Sequence, residues 1–241
     1  MTEAPKKPAR KKATPKPAEP KPKAESKKTK ARTMTDQEMR ETVLAKALPH
    51  AAFDGFTDGL LRKAGAEAGV TATDLARLFE DGPISLVEFY STSTDAEMEK
   101  RLAAMDLKAM KIRARIAAAV RTRLAILKPH KEAARRAAAL LSLPMHAALG
   151  AKLVYRTVDA MWRAAGDTAT DFNFYTKRGI LAGVYGSTAM RWFTTEDEAA
   201  VDTFLAARIE NVMQFEKFKA KAKDVFANFP AFADWAKPKT K

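Results

Sequence analysis

The chain has 241 residues and a net charge of +14, from 43 Lys and Arg against 29 Asp and Glu, and it contains no cysteine. The lack of thiols excludes a disulfide scaffold, a thiolate metal site, an iron–sulfur cluster and a catalytic cysteine. Its longest uncharged stretch, Ala137 to Ala151, is interrupted by Pro144 and His146 and falls short of the roughly 18 apolar residues of a spanning helix.

Residues 1–33 hold 12 Lys and Arg, only three acids (Glu3, Glu19, Glu25) and six of the 12 prolines. Apart from Met1, their apolar side chains are alanines. That is too little apolar surface to offset ordering entropy, so the sequence predicts a disordered tail. It lacks the apolar core of a secretory signal, and its Lys- and Pro-rich makeup disfavours a mitochondrial presequence. A solvated tail and an electrostatic tether to acidic lipid or nucleic acid both stay open for it.

Everything after Thr33 reads as helix, with abundant alanine and no alternating apolar strands. Helix starts are expected at three capping boxes, Thr35 with Glu38, Thr94 with Glu97, and Thr195 with Glu198, because the paired side chains satisfy the orphan amides of a first turn. Breaks are expected near Pro49, Gly69, Gly82–Pro83, Pro129, Pro144, Gly166–Asp171 and Pro230. The first unit covers residues 34–104. Val43, Leu44, Ala47 and Leu48 stripe its first helix, Leu60, Leu61 and Ala64 its second, and Leu75, Leu78 and Phe79 a short third over Ala72–Glu80. Helix, Gly-containing turn and helix make the helix-turn-helix layout. With Ile84–Tyr90 following, the outline resembles the N-terminal domain of TetR-type regulators. The exposed positions of the third helix are Thr73, Asp74, Arg77, Glu80 and Asp81. Three acids against one Arg oppose a phosphate backbone, so the motif is expected to be vestigial and nucleic acid is not the expected partner.

The second unit covers residues 105–211. Ile112, Ile116, Val120, Leu124 and Leu127 form an inward stripe, and ten cations lie between Lys108 and Arg136 against one acid, Glu132. A solvated face and a surface for acidic headgroups are both open for that run. After Pro144, Leu149, Leu153, Met161 and Trp162 are placed on one side of a helix. The next helix, Asn173 to Phe193, is apolar all round between Arg178 and Arg191, which predicts burial on every side. Its Gly179, Ala182, Gly183, Gly186 and Ser187 suit close helix approach, or space for a long apolar guest. Finally, residues 212–236 form an amphipathic helix. Phe215, Phe218, Phe226 and Phe229 share a face flanked by Lys219 and Lys221, a pattern that suits a membrane interface or docking on the protein's own core.

Catalytic chemistry is not expected. His50, His130 and His146 sit on separate segments without metal-ligand spacing, and Gly183-Val-Tyr-Gly-Ser187 has its serine last where a nucleophile elbow needs it central. No nucleotide loop is present, and neither a cofactor nor a metal is implied.

Three segments resemble a known family: Asp171-Phe-Asn-Phe-Tyr-Thr-Lys-Arg-Gly-Ile-Leu-Ala-Gly-Val-Tyr-Gly-Ser-Thr188, Phe204 to Met213, and Lys111–Ile116 with Ala119–Leu124. The family is the lipid-binding accessory protein of ubiquinone biosynthesis, the ninth Coq protein. The resemblance implies an all-α, TetR-like bundle that has given up DNA, dimerises, and holds an isoprenoid quinone intermediate or phospholipid in the larger unit. It also implies a peripheral membrane location through the C-terminal helix, on the bacterial inner membrane from the cytoplasm or on the mitochondrial matrix side. The partner it implies is the di-iron demethoxyubiquinone hydroxylase. The family's partner patch, a Trp-Tyr pair and an Arg three residues after the Tyr, falls here on Phe174, Tyr175 and Arg178; Phe for Trp keeps an apolar anchor but loses the indole donor. The lipid tunnel is then expected to be lined by Leu149, Leu153, Met161, Trp162, Ile180, Leu181 and Val184.

Overall fold

The computed structural model describes residues 1–2, 34–168 and 172–227, with backbone only at 172–173 and 213–227. The chain divides into Met1–Thr33 and Met34–Lys241; the predicted disorder of the first lies outside the described residues, apart from Met1 and Thr2. Among the described residues the structure is helical without strands: α1 (Asp36–Asp54), α2 (Asp58–Glu67), α3 (Ala72–Leu78), α4 (Pro83–Ala103), α5 (Ile112–Leu127), α6 (Lys131–Leu141), α7 (Ala147–Ala164), α8 (Phe172–Phe193) and α9 (Glu198–Ala227). No single helix among them is long and apolar enough to cross a membrane.

The first capping box forms as expected. Thr35 Oγ1 accepts from the Glu38 amide at 3.2 Å while the Glu38 carboxylate accepts from the Thr35 amide at 2.8 Å. The break expected at Pro49 does not occur, and α1 runs through it to Asp54. Pro49 and Ala45, whose carbonyl loses its partner, both lie on the exposed face, where water can replace the missing bond; Ala47, Leu48 and Ala51 hold the opposite face in the core. No helix starts at Thr94 either. It lies inside α4, buried, and its hydroxyl donates to the Tyr90 carbonyl at 2.8 Å. The third expected start is right in place but not in chemistry: Asp197 caps α9, accepting from the Ala200 amide at 3.0 Å, while Thr195 accepts from the Asp197 amide.

Thr57 and Thr71 cap α2 and α3, and Gly69 makes the turn between them with φ 68°, a conformation that disfavours a side chain. The two helices pack tightly, because a Cβ at Gly65 would meet Leu75 Cδ2 at 2.8 Å. Residues 34–104 and 105–211 do not separate: α1 packs on α6, and α4 packs on both α5 and α7, so one core runs through both.

Two expectations about surfaces change. Seven of the ten cations between Lys108 and Arg136 are ion-paired, Arg113 with Glu210, Arg121 with Asp202, Arg123 with Asp95, Lys128 with Glu198, Lys131 with Glu196, and Arg135 and Arg136 with Glu132. The run therefore clamps α5 and α6 to the start of α9 more than it forms an open basic face. Helix α8 is not buried on every side. Gly179 and Gly183 are exposed, Met190 is 62% exposed, and a Cβ at Gly179, Gly183 or Gly186 would meet nothing within 4 Å. Its small residues face open space rather than a closely packed helix.

Candidate functional site

Helices α4 to α8 surround a cavity of about 470 Å³, within the range of roughly 300–1,000 Å³ typical of small-molecule sites. Its walls are mostly aliphatic: Val87 from α4, Leu127 from α5, Ala134, Ala137 and Leu141 from α6, Leu153 and Val154 from α7, and Ala189 and Phe193 from α8. Each helix turns a small or branched apolar side chain inward, while Gly186, with nothing near its Cβ position, leaves additional room. Gly150 lets α7 approach α6, since a Cβ there would stand 2.9 Å from the Leu141 carbonyl oxygen.

A polar cluster closes one end, where Tyr90, Ser91, Arg123, Thr157 and Tyr185 line the wall. Buried Arg123 pairs with Asp95, donates from Nε to the Tyr185 hydroxyl at 2.8 Å and from Nη2 to Ser91 Oγ at 3.2 Å. The Thr157 hydroxyl donates to Asp95 at 3.0 Å. Burial pushes the Asp95 carboxyl above its ordinary range, opposed by Arg123 and Thr157, and pushes the Tyr90 phenol up as well, opposed by Arg123.

The seven residues expected to line one tunnel are not brought together. Leu153 lines the large cavity, whereas Trp162, Ile180, Leu181 and Val184 line a separate apolar pocket of about 100 Å³ with Ile112, Ile116, Ile209 and Val212. Met161 is fully buried and Leu149 half-buried, and neither lines either space. The reason is helical geometry: Leu153 and Trp162 are nine residues apart, which at about 100° per residue puts them on opposite sides of α7. Arg123, Tyr90, Thr157 and Tyr185 were missed as site residues. For Arg123 a signal existed, since Ile116, Val120, Arg123 and Leu127 step by four, three and four along the buried face.

At the other end of α8, the Phe174 and Tyr175 rings meet edge to face at 5.1 Å. Tyr175 is 67% exposed, but Arg178 is only 2% exposed. Its guanidinium stacks 3.3 Å from the Phe174 ring centroid and donates to Asp159 at 2.7 Å and to Asp167 and the Phe174 carbonyl at 3.1 Å. Of the three expected partner residues, then, Tyr175 offers its side chain to solvent, Phe174 is half-buried, and Arg178 braces them from inside. Trp162 joins the brace through Nε1, which donates to the Lys177 carbonyl at 3.1 Å.

This region, from α7 to the middle of α9, has a counterpart among known families. Residues 147–216 match the COQ9 family model. The COQ9-matching segment thus supplies two walls of the large cavity and the whole Phe174–Arg178 brace. The similarity extends beyond it. The chain is 29% identical over 188 residues to the bovine "Ubiquinone biosynthesis protein COQ9, mitochondrial", covering 74% of this chain and 59% of that protein. It is 27% identical over 187 residues to the human protein of the same name, with coverage of 74% and 59%. To the "Probable ubiquinone biosynthesis protein coq9, mitochondrial" of Dictyostelium discoideum it is 24% identical, with coverage of 76% and 62%. The chain spans about three fifths of the length of these relatives. Among solved structures, the TetR transcriptional regulator from Nitrosomonas europaea matches with a TM-score of 0.59 at 19% identity, over 71% of this chain and 96% of that one. The fold is TetR-like.

In that fold α2 and α3 form the helix-turn-helix. The lone cation of α3, Arg77, is committed within the protein, donating to Asp36 at 2.6 and 2.9 Å and to Asp74 at 3.2 Å. The residues expected at a membrane, Phe215, Phe218, Lys219, Lys221, Phe226 and Phe229, lie outside the described side chains.

Proposed function

We propose that the protein is a non-catalytic accessory factor of ubiquinone biosynthesis that carries an amphipathic lipid in the large cavity of the COQ9-matching bundle. The single observation behind this is that cavity, apolar along its walls and polar at one end, in a chain whose relatives bear ubiquinone-biosynthesis names. A polyprenyl or acyl chain gains about 0.8 kcal/mol per CH₂ on leaving water, so a walled apolar space is what extraction from a membrane requires. The carried molecule is a quinone intermediate, handed at the membrane surface to the di-iron demethoxyubiquinone hydroxylase through the face that Tyr175 presents. Membrane contact is assigned to the C-terminal helix, and the site of action to the mitochondrial matrix side or the bacterial inner membrane.

The test fills the cavity from inside. Gly186→Leu should abolish co-purification of lipid, read by mass spectrometry of the intact protein, while Gly183→Leu, on the exposed face beside it, should leave it unchanged. Equal lipid content in both variants would sink the assignment. A strain lacking the protein is expected to accumulate demethoxyubiquinone. A DNA-binding regulator would instead give a specific, competitor-resistant mobility shift at low salt, which the committed Arg77 argues against.

A further inference from the structure

Of the ten cations between Lys108 and Arg136, three make no ion pair among the described residues: Lys108, Lys111 and Arg115. Arg115 is committed to the backbone. It donates to the carbonyls of Met110 at 2.9 Å, Lys108 at 3.2 Å and Ala165 at 2.9 Å. Lys108 and Lys111 remain, both exposed in the short turn that joins α4 to α5. The same turn exposes large apolar side chains: Met105 is 42% exposed, Met110 38% and Ile112, the first residue of α5, 45%. The turn is a built feature. Leu107 is buried beneath it, Asp106 accepts from the Ala109 amide at 3.4 Å, and Arg115 clamps two of its carbonyls. Single exposed apolar side chains are ordinary; here three are interleaved with two uncompensated lysines. By contrast, residues 142–146, which expose Leu143 and Met145, contain no Lys or Arg.

We propose that this turn is a membrane contact in its own right: Met105, Met110 and Ile112 enter the interface and Lys108 and Lys111 reach anionic lipid headgroups. It goes beyond the C-terminal contact assigned above and does not depend on it. Apolar groups seated at the acyl boundary, with long cations snorkelling to the phosphates beside them, are how a peripheral protein holds a bilayer. An acidic peptide would pair the lysines but leave the three apolar side chains wet, whereas a bilayer interface accepts both. The apolar surface also continues inward, since Ile112 lines the pocket of about 100 Å³ together with Ile116, Ile180, Ile209 and Val212. Position gives the contact a use. Through Arg115 the turn is tied to Ala165 at the end of α7, close in sequence to Asp167, which accepts from Lys177 at 2.7 Å and from Arg178 at 3.1 Å. The brace behind Tyr175 is thus joined to the turn, and docking the turn holds the Tyr175 face near the headgroups.

Flotation of the full chain tests this, with vesicles of phosphatidylcholine alone and of an equimolar mixture with phosphatidylglycerol. Lys108→Gln with Lys111→Gln should weaken binding to the anionic vesicles about thirtyfold, at roughly fivefold per lysine, the difference narrowing as salt is raised. Lys46→Gln with Arg62→Gln removes the same charge from exposed positions on α1 and α2 and should change binding far less. Because the chain has no cysteine, a polarity-sensitive dye can be attached singly at Met110→Cys, where its emission should shift to the blue on anionic vesicles; at Lys46→Cys it should not. If the Lys108 and Lys111 variant binds like the Lys46 and Arg62 control, or the dye responds alike at both positions, the turn is no membrane contact and the C-terminal helix keeps its assignment. Phe215→Ser, Phe218→Ser and Phe226→Ser together should lower binding yet leave its dependence on Lys108 and Lys111; loss of that dependence overturns an independent contact. Unchanged vesicle binding by the Lys108 and Lys111 variant, with weakened binding to polyglutamate, would give the patch to an acidic protein instead.

Discussion

At the scale of single residues, the Arg123–Asp95 pair is where burial and charge oppose each other most directly. Both side chains are at most a tenth exposed, and Thr157 and Tyr185 complete their hydrogen bonds. Breaking such a pair from one side leaves an uncompensated charge and costs about 3–5 kcal/mol. Asp95→Asn is therefore expected to lower stability by about that amount in urea unfolding, while a double change of Asp95→Asn with Arg123→Met should recover a good part of it. A double variant no more stable than the single one would show that the loss is packing rather than charge. The pair also marks the limit of what the sequence reveals about the site. Composition counted Arg123 with the surface cations, although its spacing with Ile116, Val120 and Leu127 puts it on the buried face. Asp95 sits mid-helix with no local pattern to distinguish it, and its partner lies 28 residues away.

At the scale of elements, most helices could be read from capping and apolar spacing, and the departures have local causes. Pro49 is tolerated because its face of α1 is wet, and Thr94 is no cap because its hydroxyl returns to the Tyr90 carbonyl. The small residues of α8 are the element whose meaning only the structure gives. Gly in a helix reads equally as close packing or as free space, and the difference lies in atoms from other helices. Gly179 and Gly183 have nothing within 4 Å of a Cβ position, whereas Gly150 of α7 would meet the Leu141 backbone. Replacing Gly by Ala in an open helix interior gains about 0.8–1 kcal/mol of helix propensity, so Gly179→Ala and Gly183→Ala should each raise the melting temperature. Gly150→Ala should lower stability by about 1–3 kcal/mol, the usual range for overpacking. Thermal unfolding of the three variants checks this; destabilisation at Gly179 or Gly183 would mean that α8 is covered by another surface.

At the scale of the whole molecule, a TetR-like outline and a basic composition together suggested nucleic acid, and it is the placement of the charges that turns the conclusion away from it. Arg77 is spent on Asp36 and Asp74, and the acids of α9 and its approach neutralise much of the Lys108–Arg136 run. Apart from Arg77 with Asp74, three residues apart on α3, these pairings join residues distant in the chain and are not encoded in local spacing, which is why the sequence left the run open between a solvated face and a binding surface. The pairing has a consequence for acid stability. Arg77 holds the Asp36 carboxyl below its ordinary range, the Thr71 hydroxyl and then Arg77 do so for Asp74, Arg101 does so for Glu97, and hydrogen bonds from Arg135 and Arg136 bring Glu132 from 4.5 to about 2. A carboxyl depressed in the folded state binds fewer protons there than in the unfolded chain, so its contribution is complete above the unfolded value and lost as pH falls toward the folded one. For Glu132 that window runs from 4.5 down to about 2. All four groups lie at the surface, where salt and water screen them, so the effect of each is small and their sum is what acid titrates. The melting temperature is accordingly expected to hold between neutral pH and the ordinary carboxylate range and to decline below it. Glu132→Gln isolates one share: its deficit relative to the unaltered protein should be fully open at neutral pH and close as the medium approaches the folded value of Glu132. A deficit that stays constant across that range would mean that Glu132 acts through helix packing and not through its charge on Arg135 and Arg136.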